Sequence, residues 1–134
     1  MASELQSVFA ALRAILEKRA PGFRVSHASP KRYTLEASIG PATLKAWGGK
    51  AKRPRIPVAW VSMEKSYVSY HLMAAEDPKF RAMLSAPLAG CMQGKTCFNF
   101  KTENPALFRE LEEVTKRALE ALRDAGFIVA SEST

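Results

Sequence analysis

The sequence predicts an α+β domain in which an antiparallel sheet of about five strands carries an N-terminal and a C-terminal helix on one face. Apolar residues recur every three or four positions near both ends of the chain, which is typical of amphipathic helices. Between the two helices, several short segments alternate apolar with polar residues, as half-buried strands do. Each helix must bury its apolar stripe, and one face of a sheet is the economical surface for both.

The N-terminal helix is indicated by a single apolar stripe. Its members are Leu5, Val8, Phe9, Leu12, Ile15 and Leu16. Their spacing places all six on one side of a helix. Pro21 and Gly22 end the helix, because proline cannot continue the helical hydrogen bonding and glycine favours a C-terminus.

Five segments after this helix are predicted as strands. They lie at residues 33–39, 43–47, 57–63, 67–73 and 96–101. Gly40 and Pro41 turn the chain after the first strand, and Lys45 and Trp47 would share one side of the second. The third and fourth strands are close enough in sequence to form a hairpin.

The C-terminal helix has the clearest pattern in the chain. Asn104 is a good N-cap, Pro105 suits the first turn, and Gly126 suits the C-terminus. Asp77 and Pro78 begin a shorter helical region before the last strand. We interpret residues 1–134 as one domain and expect residues 129–134 to be disordered.

Composition restricts the classes of protein that fit this chain. A length of 134 residues with 47% hydrophobic residues suits one domain with its own core. No apolar run approaches the ~20 residues that cross a bilayer, and a basic leader is absent, so we expect a cytoplasmic protein without a membrane partner. The formal charge of +7 favours anionic partners, although part of it lies in the loop at residues 50–55. Cys91 and Cys97 match no zinc or redox spacing, and we predict no metal and no cofactor.

Two of the predicted strands would place polar side chains on the sheet face that the helices leave open. Alternation divides each strand into an apolar row, which should face the helices, and a polar row, which should face away. If these strands are neighbours, an imidazole, a thiol, an amide and an ammonium would gather in one patch able to bind a polar or anionic ligand. The candidate ligand-binding residues are Tyr67, Ser69, His71, Lys95, Cys97, Asn99 and Lys101, with Lys45 and Trp47 from the second strand.

The same residues allow other interpretations. A sheet face exposed to solvent requires polar residues whether or not it binds a ligand. His71 could accordingly be a structural cross-strand polar partner without a binding role. Cys97 with His71 would resemble a nucleophile and its base, which is the basis of an enzymatic alternative. Trp47 beside the basic loop could stack on bases, but too few other aromatic residues share that face, which argues against nucleic acid.

A phosphate-binding loop is excluded by the residues around the glycine turn. Gly94-Lys95-Thr96 resembles the end of such a loop. The full motif requires glycine at position 89, where this chain has Ala89, and it runs from a strand into a helix rather than from a helix into a strand. We therefore do not predict nucleotide hydrolysis.

Two longer motifs resemble a known family. They are Tyr67-Val68-Ser69-Tyr70-His71-Leu72-Met73 and Met92-Gln93-Gly94-Lys95-Thr96-Cys97-Phe98-Asn99-Phe100-Lys101, followed by the helix that begins near Leu107. Together they resemble the YdhG-like family of small bacterial domains of unknown function, over most of the chain. The resemblance implies an α+β sandwich with terminal helices on an antiparallel sheet. Some relatives are described as frataxin-like iron chaperones, so the resemblance also implies iron binding and delivery.

We therefore expect a bacterial cytoplasmic domain that is a binding module rather than an enzyme, with a small polar or anionic ligand or a protein partner on the open sheet face. The alternatives are frataxin-like iron binding and delivery, and an enzyme that uses His71 or Cys97. Iron ranks second because the first helix has only Glu4 and Glu17 beside three basic residues, and a charge of +7 repels cations. An uncovered sheet face or edge is also a possible surface for a homodimer.

Overall fold

The computed structural model describes residues 2–94 and 96–129, except for the side chains of residues 2, 3 and 76. Two long helices lie near its ends, α1 at Ala2–Arg19 and α5 at Pro105–Asp124. The short elements between them are α2 at Pro41–Ala46, a 3₁₀ turn at Met73–Glu76, α3 at Pro78–Arg81 and α4 at Ala86–Ala89. Within the described ranges, no helix is long and apolar enough to cross a membrane.

Five strands form one antiparallel sheet, in which each strand pairs with the next along the chain. They are β1 (Arg24–Ser29), β2 (Arg32–Ser38), β3 (Arg55–Met63), β4 (Val68–Leu72) and β5 (Cys97–Phe100). An isolated bridge between Met92 and Phe98 continues the pairing beyond β5. The predicted α+β class, with a five-stranded antiparallel sheet and two terminal helices, is confirmed.

Both terminal helices belong to one layer on the same side of the sheet. α1 packs on β2, β3 and β4, while α5 packs beside α1 and against the 3₁₀ turn and α4. The helix stripes meet the apolar rows of the strands in one core, whose fully buried side chains include Leu12, Leu16, Tyr70, Phe98 and Leu111. Burying one such side chain stabilises the fold by roughly 1.5–3 kcal/mol. We call the opposite side of the sheet, which turns away from the helices, the outer face.

One polar pair joins the sheet to α5 inside this core. Tyr70 Oη lies 2.6 Å from Thr115 Oγ1, and Thr115 Oγ1 donates to the carbonyl oxygen of Leu111 at 2.7 Å. Because the threonine hydrogen is used in that second bond, the tyrosine hydroxyl donates and Thr115 accepts. Burial raises the pKa of Tyr70, so the hydroxyl keeps the proton that it donates.

Two segments differ from the sequence prediction. The strand predicted at residues 43–47 is wrong, because α2 lies there. Pro41 fits the first turn of that helix, and Gly49 N–H donates to the carbonyl oxygen of Leu44 at 2.9 Å beyond its C-terminus. Conversely, residues 24–29, which the sequence leaves unassigned, form β1. The residues of β1 are mostly exposed, so apolar alternation does not mark it.

The chain beyond α5 returns to the sheet. Ile128 pairs with Ile39, and Val129 N–H donates to the carbonyl oxygen of Ser38 at 3.0 Å. Val129 therefore lies along the end of β2. Residues 130–134, the remainder of the tail that we predict to be disordered, lie outside the described residues.

Candidate functional site on the outer face

Two rows of cross-strand partners span all five strands on the outer face. One row contains His27, Thr34, Trp60, His71 and Cys97, and the neighbouring row contains Ser29, Arg32, Ser62, Ser69 and Asn99. Directly paired residues of an antiparallel sheet project from the same face. β4 and β5 are neighbours, and the structure thus brings together the serine, histidine, cysteine and asparagine that strand alternation predicts as one patch.

Four side chains of these rows form a continuous hydrogen-bonded network. Ser69 Oγ lies 2.8 Å from His71 Nε2 and 2.8 Å from Cys97 Sγ, and Cys97 Sγ donates to Asn99 Oδ1 at 2.9 Å. One set of hydrogen positions satisfies all three contacts: the imidazole Nε2–H donates to Ser69, the Ser69 hydroxyl donates to sulfur, and the thiol donates to Asn99. Ser69 is only 4% exposed, so its partners in the network replace water.

An aromatic stack adjoins this network. The rings of Trp60 and His71 are parallel within 9°, with their centroids 4.5 Å apart. They stand on neighbouring strands, so the imidazole covers one face of the indole and the other indole face turns toward β2. Trp60 itself is half-buried. The outer face therefore carries a flat, partly accessible aromatic surface beside polar groups.

The sequence alone does not assign Trp60 to a face. Its strand is apolar in both rows, and Val58 and Ala59 are buried although they are consecutive. The register between β2 and β3 shifts at this point, which is a bulge. The bulge adds one residue to β3 and shifts the in–out alternation of its side chains. Assigning alternate residues from Pro57 onward therefore does not show that Trp60 lies on the outer face.

The imidazole of His71 is held in its neutral form. Burial lowers its pKa, and the Arg32 guanidinium lowers it further, while Glu64 acts in the opposite direction. Its Nδ1 atom is buried and has no hydrogen-bond partner in the described part of the chain. Arg32 Nε donates to Thr34 Oγ1 at 3.3 Å, which lays this guanidinium along β2 toward the row that contains Trp60.

We expect the free energy of unfolding to fall as the pH is lowered below 6.5. The pKa of His71 in the folded state lies below its ordinary value of 6.5, so the unfolded chain takes up this proton first and is favoured. The loss begins near 6.5 and levels off below the folded-state pKa. Urea unfolding between about pH 7.5 and about pH 5.5 measures it.

The two histidines provide the comparison for this pH dependence. His71→Gln should make the decline in unfolding free energy shallower in that window, because the group that titrates differently in the two states is gone. His27→Gln makes the same substitution at an exposed position of β1 in the same row and controls for the change of residue type. Equal slopes in the parent protein and in His71→Gln would contradict the assignment.

None of the other predicted site residues within the described ranges joins the hydrogen bonds of the network. Tyr67 precedes β4, and Lys101 follows β5 in a bend, where it lines a separate open cavity of about 780 Å³ at the end of the sheet. Lys45 lies in α2 and Trp47 caps its C-terminus, so strand alternation cannot bring either to the outer face. Lys95 lies outside the described residues.

The sulfur atoms have different surroundings. Cys97 belongs to the network, whereas Cys91 Sγ donates to the carbonyl oxygen of Pro87 at 3.5 Å. Burial raises the pKa of Cys91, which keeps its thiol protonated. Among the described residues, no three His, Cys, Asp or Glu side chains lie together in a way that could hold a metal ion.

Comparisons with protein-family models, with curated proteins and with solved structures gave no match to this chain. Membership of the YdhG-like family therefore stays a prediction, carried by the two motifs. The residues that the fold gathers on the outer face are the remaining guide to function.

Proposed function

We propose that this protein is a binding domain that holds a small polar or anionic ligand on its outer face. One observation carries the proposal: the network of Ser69, His71, Cys97 and Asn99 lies directly beside the Trp60–His71 stack. The amide N–H groups of half-buried Asn99 lie outside the internal hydrogen bonds of the network and can donate to a ligand, and the stack offers a flat apolar surface. A ligand with a ring and a polar or charged group would use both.

Charge supports an anionic ligand. Arg32 lies in the row next to Trp60, and its guanidinium is close enough to His71 to lower the pKa of the imidazole. The imidazole is neutral, its Nε2 is bonded to Ser69 and its Nδ1 is buried, so it neither competes with the guanidinium for an anion nor bonds the ligand directly. The guanidinium would therefore supply the charge, and the amide of Asn99 would supply hydrogen bonds.

The arrangement of the sulfur atom favours binding over catalysis. A nucleophilic cysteine is activated by a base in direct hydrogen-bond contact with it. Here Ser69 Oγ lies between His71 Nε2 and Cys97 Sγ, and the thiol donates to Asn99. The lowered pKa of His71 also disfavours a thiolate–imidazolium pair. Frataxin-like iron binding, which the family resemblance implies, stays a prediction without a supporting ligand cluster among the described residues.

The two tryptophans of the chain give a direct test by NMR. The protein is titrated with pools of small aromatic and aliphatic carboxylates and phosphates, and the two indole N–H signals are followed. We expect saturable shifts of the Trp60 indole and of the His71 and Asn99 side chains. The Trp47 indole, at the end of α2, should stay in place and serves as the internal control.

A pair of arginine variants tests the contribution of charge. Arg32→Gln should weaken binding of an anionic hit about tenfold or more, because one charge-assisted hydrogen bond is lost. Arg24→Gln removes an exposed arginine from β1 at a greater distance from Trp60 and should change the affinity much less. Shifts confined to the helix layer, or equal losses in both variants, would contradict the proposed function.

A further inference from the structure

A second feature lies in the helix layer, on the other side of the sheet from the outer face. The last turns of α1 and α5 enclose a cleft of about 200 Å³, here called the basic cleft. The lining residues that matter here are Lys18, Arg19, Phe23, Lys116, Glu120 and Arg123. Four of these side chains are cationic and one is anionic.

The positive charge of the basic cleft is only partly balanced. Lys18 Nζ lies 3.3 Å from both carboxylate oxygens of Glu112, an exposed pair that joins α1 to α5. The C-terminal dipoles of the two helices contribute about half a negative charge each. No ion pair to Arg19, Lys116 or Arg123 forms within the described residues. The cleft therefore keeps an excess of positive charge.

Two arginines that line the basic cleft each have a buried Nε donor without an acceptor among the described residues. The Nε atoms of Arg19 and Arg123 are both buried, and neither has a hydrogen-bond partner in the described part of the chain. Buried polar groups in native proteins are nearly always paired, so each exception needs an explanation. These two lie on different helices and line the same cleft.

One of the two guanidinium groups is held in place by an aromatic ring. The Cζ atom of Arg123 lies 5.2 Å from the centroid of the Phe23 ring. This cation–π contact restricts the guanidinium without using any of its N–H groups. A cation fixed in this way loses little additional freedom when it binds a ligand.

We infer that the basic cleft binds an oxyanion of the phosphate class, either free phosphate or the phosphate group of a small monoester. Its oxygens would accept the Nε–H groups of Arg19 and Arg123, and Lys116 would add charge at the rim. The planar guanidinium presents parallel N–H donors that match the oxygens of phosphate. This site is separate from the outer face and does not depend on the proposed function.

Side-chain NMR of the arginines tests the inference on the intact protein. The Nε–Hε signals of Arg19 and Arg123 are followed while chloride is replaced by inorganic phosphate at constant ionic strength and neutral pH. A second titration with glycerol 3-phosphate distinguishes a free anion from a monoester. We expect saturable shifts of both signals with at least one of these two anions, whereas the Arg117 signal, whose Nε already donates to Glu113, should not move.

Charge-conserving variants separate hydrogen bonding from simple attraction. Arg19→Lys and Arg123→Lys each keep the charge and lose the Nε donor, so each should raise the dissociation constant about tenfold. Arg117→Lys makes the same change on the outside of α5 and should leave the dissociation constant unchanged. A circular dichroism melt of each variant confirms that it is folded.

Three results would overturn the inference. They are the absence of saturable shifts at tens of millimolar of either anion, equal shifts at all arginines, and unchanged affinity in both Arg19→Lys and Arg123→Lys. The outer face gives an independent result in the same spectra, because the Trp60 indole reports on it alone. Saturable shifts of Arg19 and Arg123 with an unchanged Trp60 indole would support the basic cleft and leave the proposed function without support. A shift of the Trp60 indole with unchanged Arg19 and Arg123 signals would support the proposed function and count against the basic cleft.

Discussion

Replacing Gly40 with alanine should lower the free energy of unfolding by roughly 3 kcal/mol or more, because the new methyl group has no space. A Cβ atom built on Gly40 would overlap the carbonyl oxygen of Gly126 and lie 2.8 Å from its carbonyl carbon. Both are backbone atoms, so no side-chain rotation relieves the overlap. One of the two chain segments must move away.

The movement would break a group of hydrogen bonds at this point. Gly40 N–H donates to the carbonyl oxygen of Phe127 at 2.8 Å, and Ala42 N–H donates to that of Gly126 at 2.8 Å. Thr43 Oγ1 donates to the same Phe127 oxygen at 2.6 Å. Urea unfolding followed by circular dichroism measures the loss of stability. We expect the midpoint to fall with an unchanged denaturant dependence.

Gly48→Ala is the matched control for this effect. Gly48 has a φ of +77°, and a Cβ atom added there would meet no described atom within 4 Å, so alanine faces only the conformational cost of a positive φ. That cost is about 1–2 kcal/mol. If Gly40→Ala were no more destabilising than Gly48→Ala, the close approach of the C-terminal turn to α2 would be contradicted.

The terminal helices could be predicted because local and tertiary signals agree in them. In α5, Asn104 Oδ1 accepts from Leu107 N–H, Pro105 fills the first turn, and the apolar stripe is buried. Gly126 adopts a positive φ just beyond the helix. Each of these features is readable from residue type and spacing alone.

The outer-face network could be predicted for a different reason. Apolar and polar residue types alternate strictly in β4 and β5. The side of the sheet on which each residue lies therefore follows once the apolar row is assigned to the core. Their adjacency, on which the prediction is conditional, is the observed order of the sheet. Given that adjacency, alternation places Ser69 and His71 beside Cys97 and Asn99.

The failures occur where tertiary contacts override local pattern. β1 is an edge strand with mostly exposed residues, so burial does not impose alternation on it. α2 is too short for a helical period to appear, and Thr43 is fixed by a hydrogen bond to Phe127, far away in sequence. Strand alternation therefore places Lys45 and Trp47 on the outer face wrongly, because both residues belong to α2 and its C-terminus. The bulge in β3 similarly conceals the orientation of Trp60.

Replacing Phe98 with alanine should lower the free energy of unfolding by about 3–5 kcal/mol, because it leaves a cavity in the middle of the core. Phe98 is fully buried on the inner side of β5 and is paired with Tyr70 on β4. Tyr70 in turn is hydrogen-bonded to Thr115 of α5, so the cavity would open where sheet and helix layers meet. Chemical denaturation measures the loss.

The adjacent residue of the same strand shows whether the two sides of β5 are assigned correctly. Asn99 projects from the outer face, is half-buried, and contributes one acceptor to the Cys97 thiol. Asn99→Ala should therefore cost no more than about 1 kcal/mol. A shift of β5 by one residue would exchange the two rows and reverse the order of the two variants. If Asn99→Ala were the more destabilising change, the network, the aromatic stack beside it and the proposed ligand site would all lose their basis.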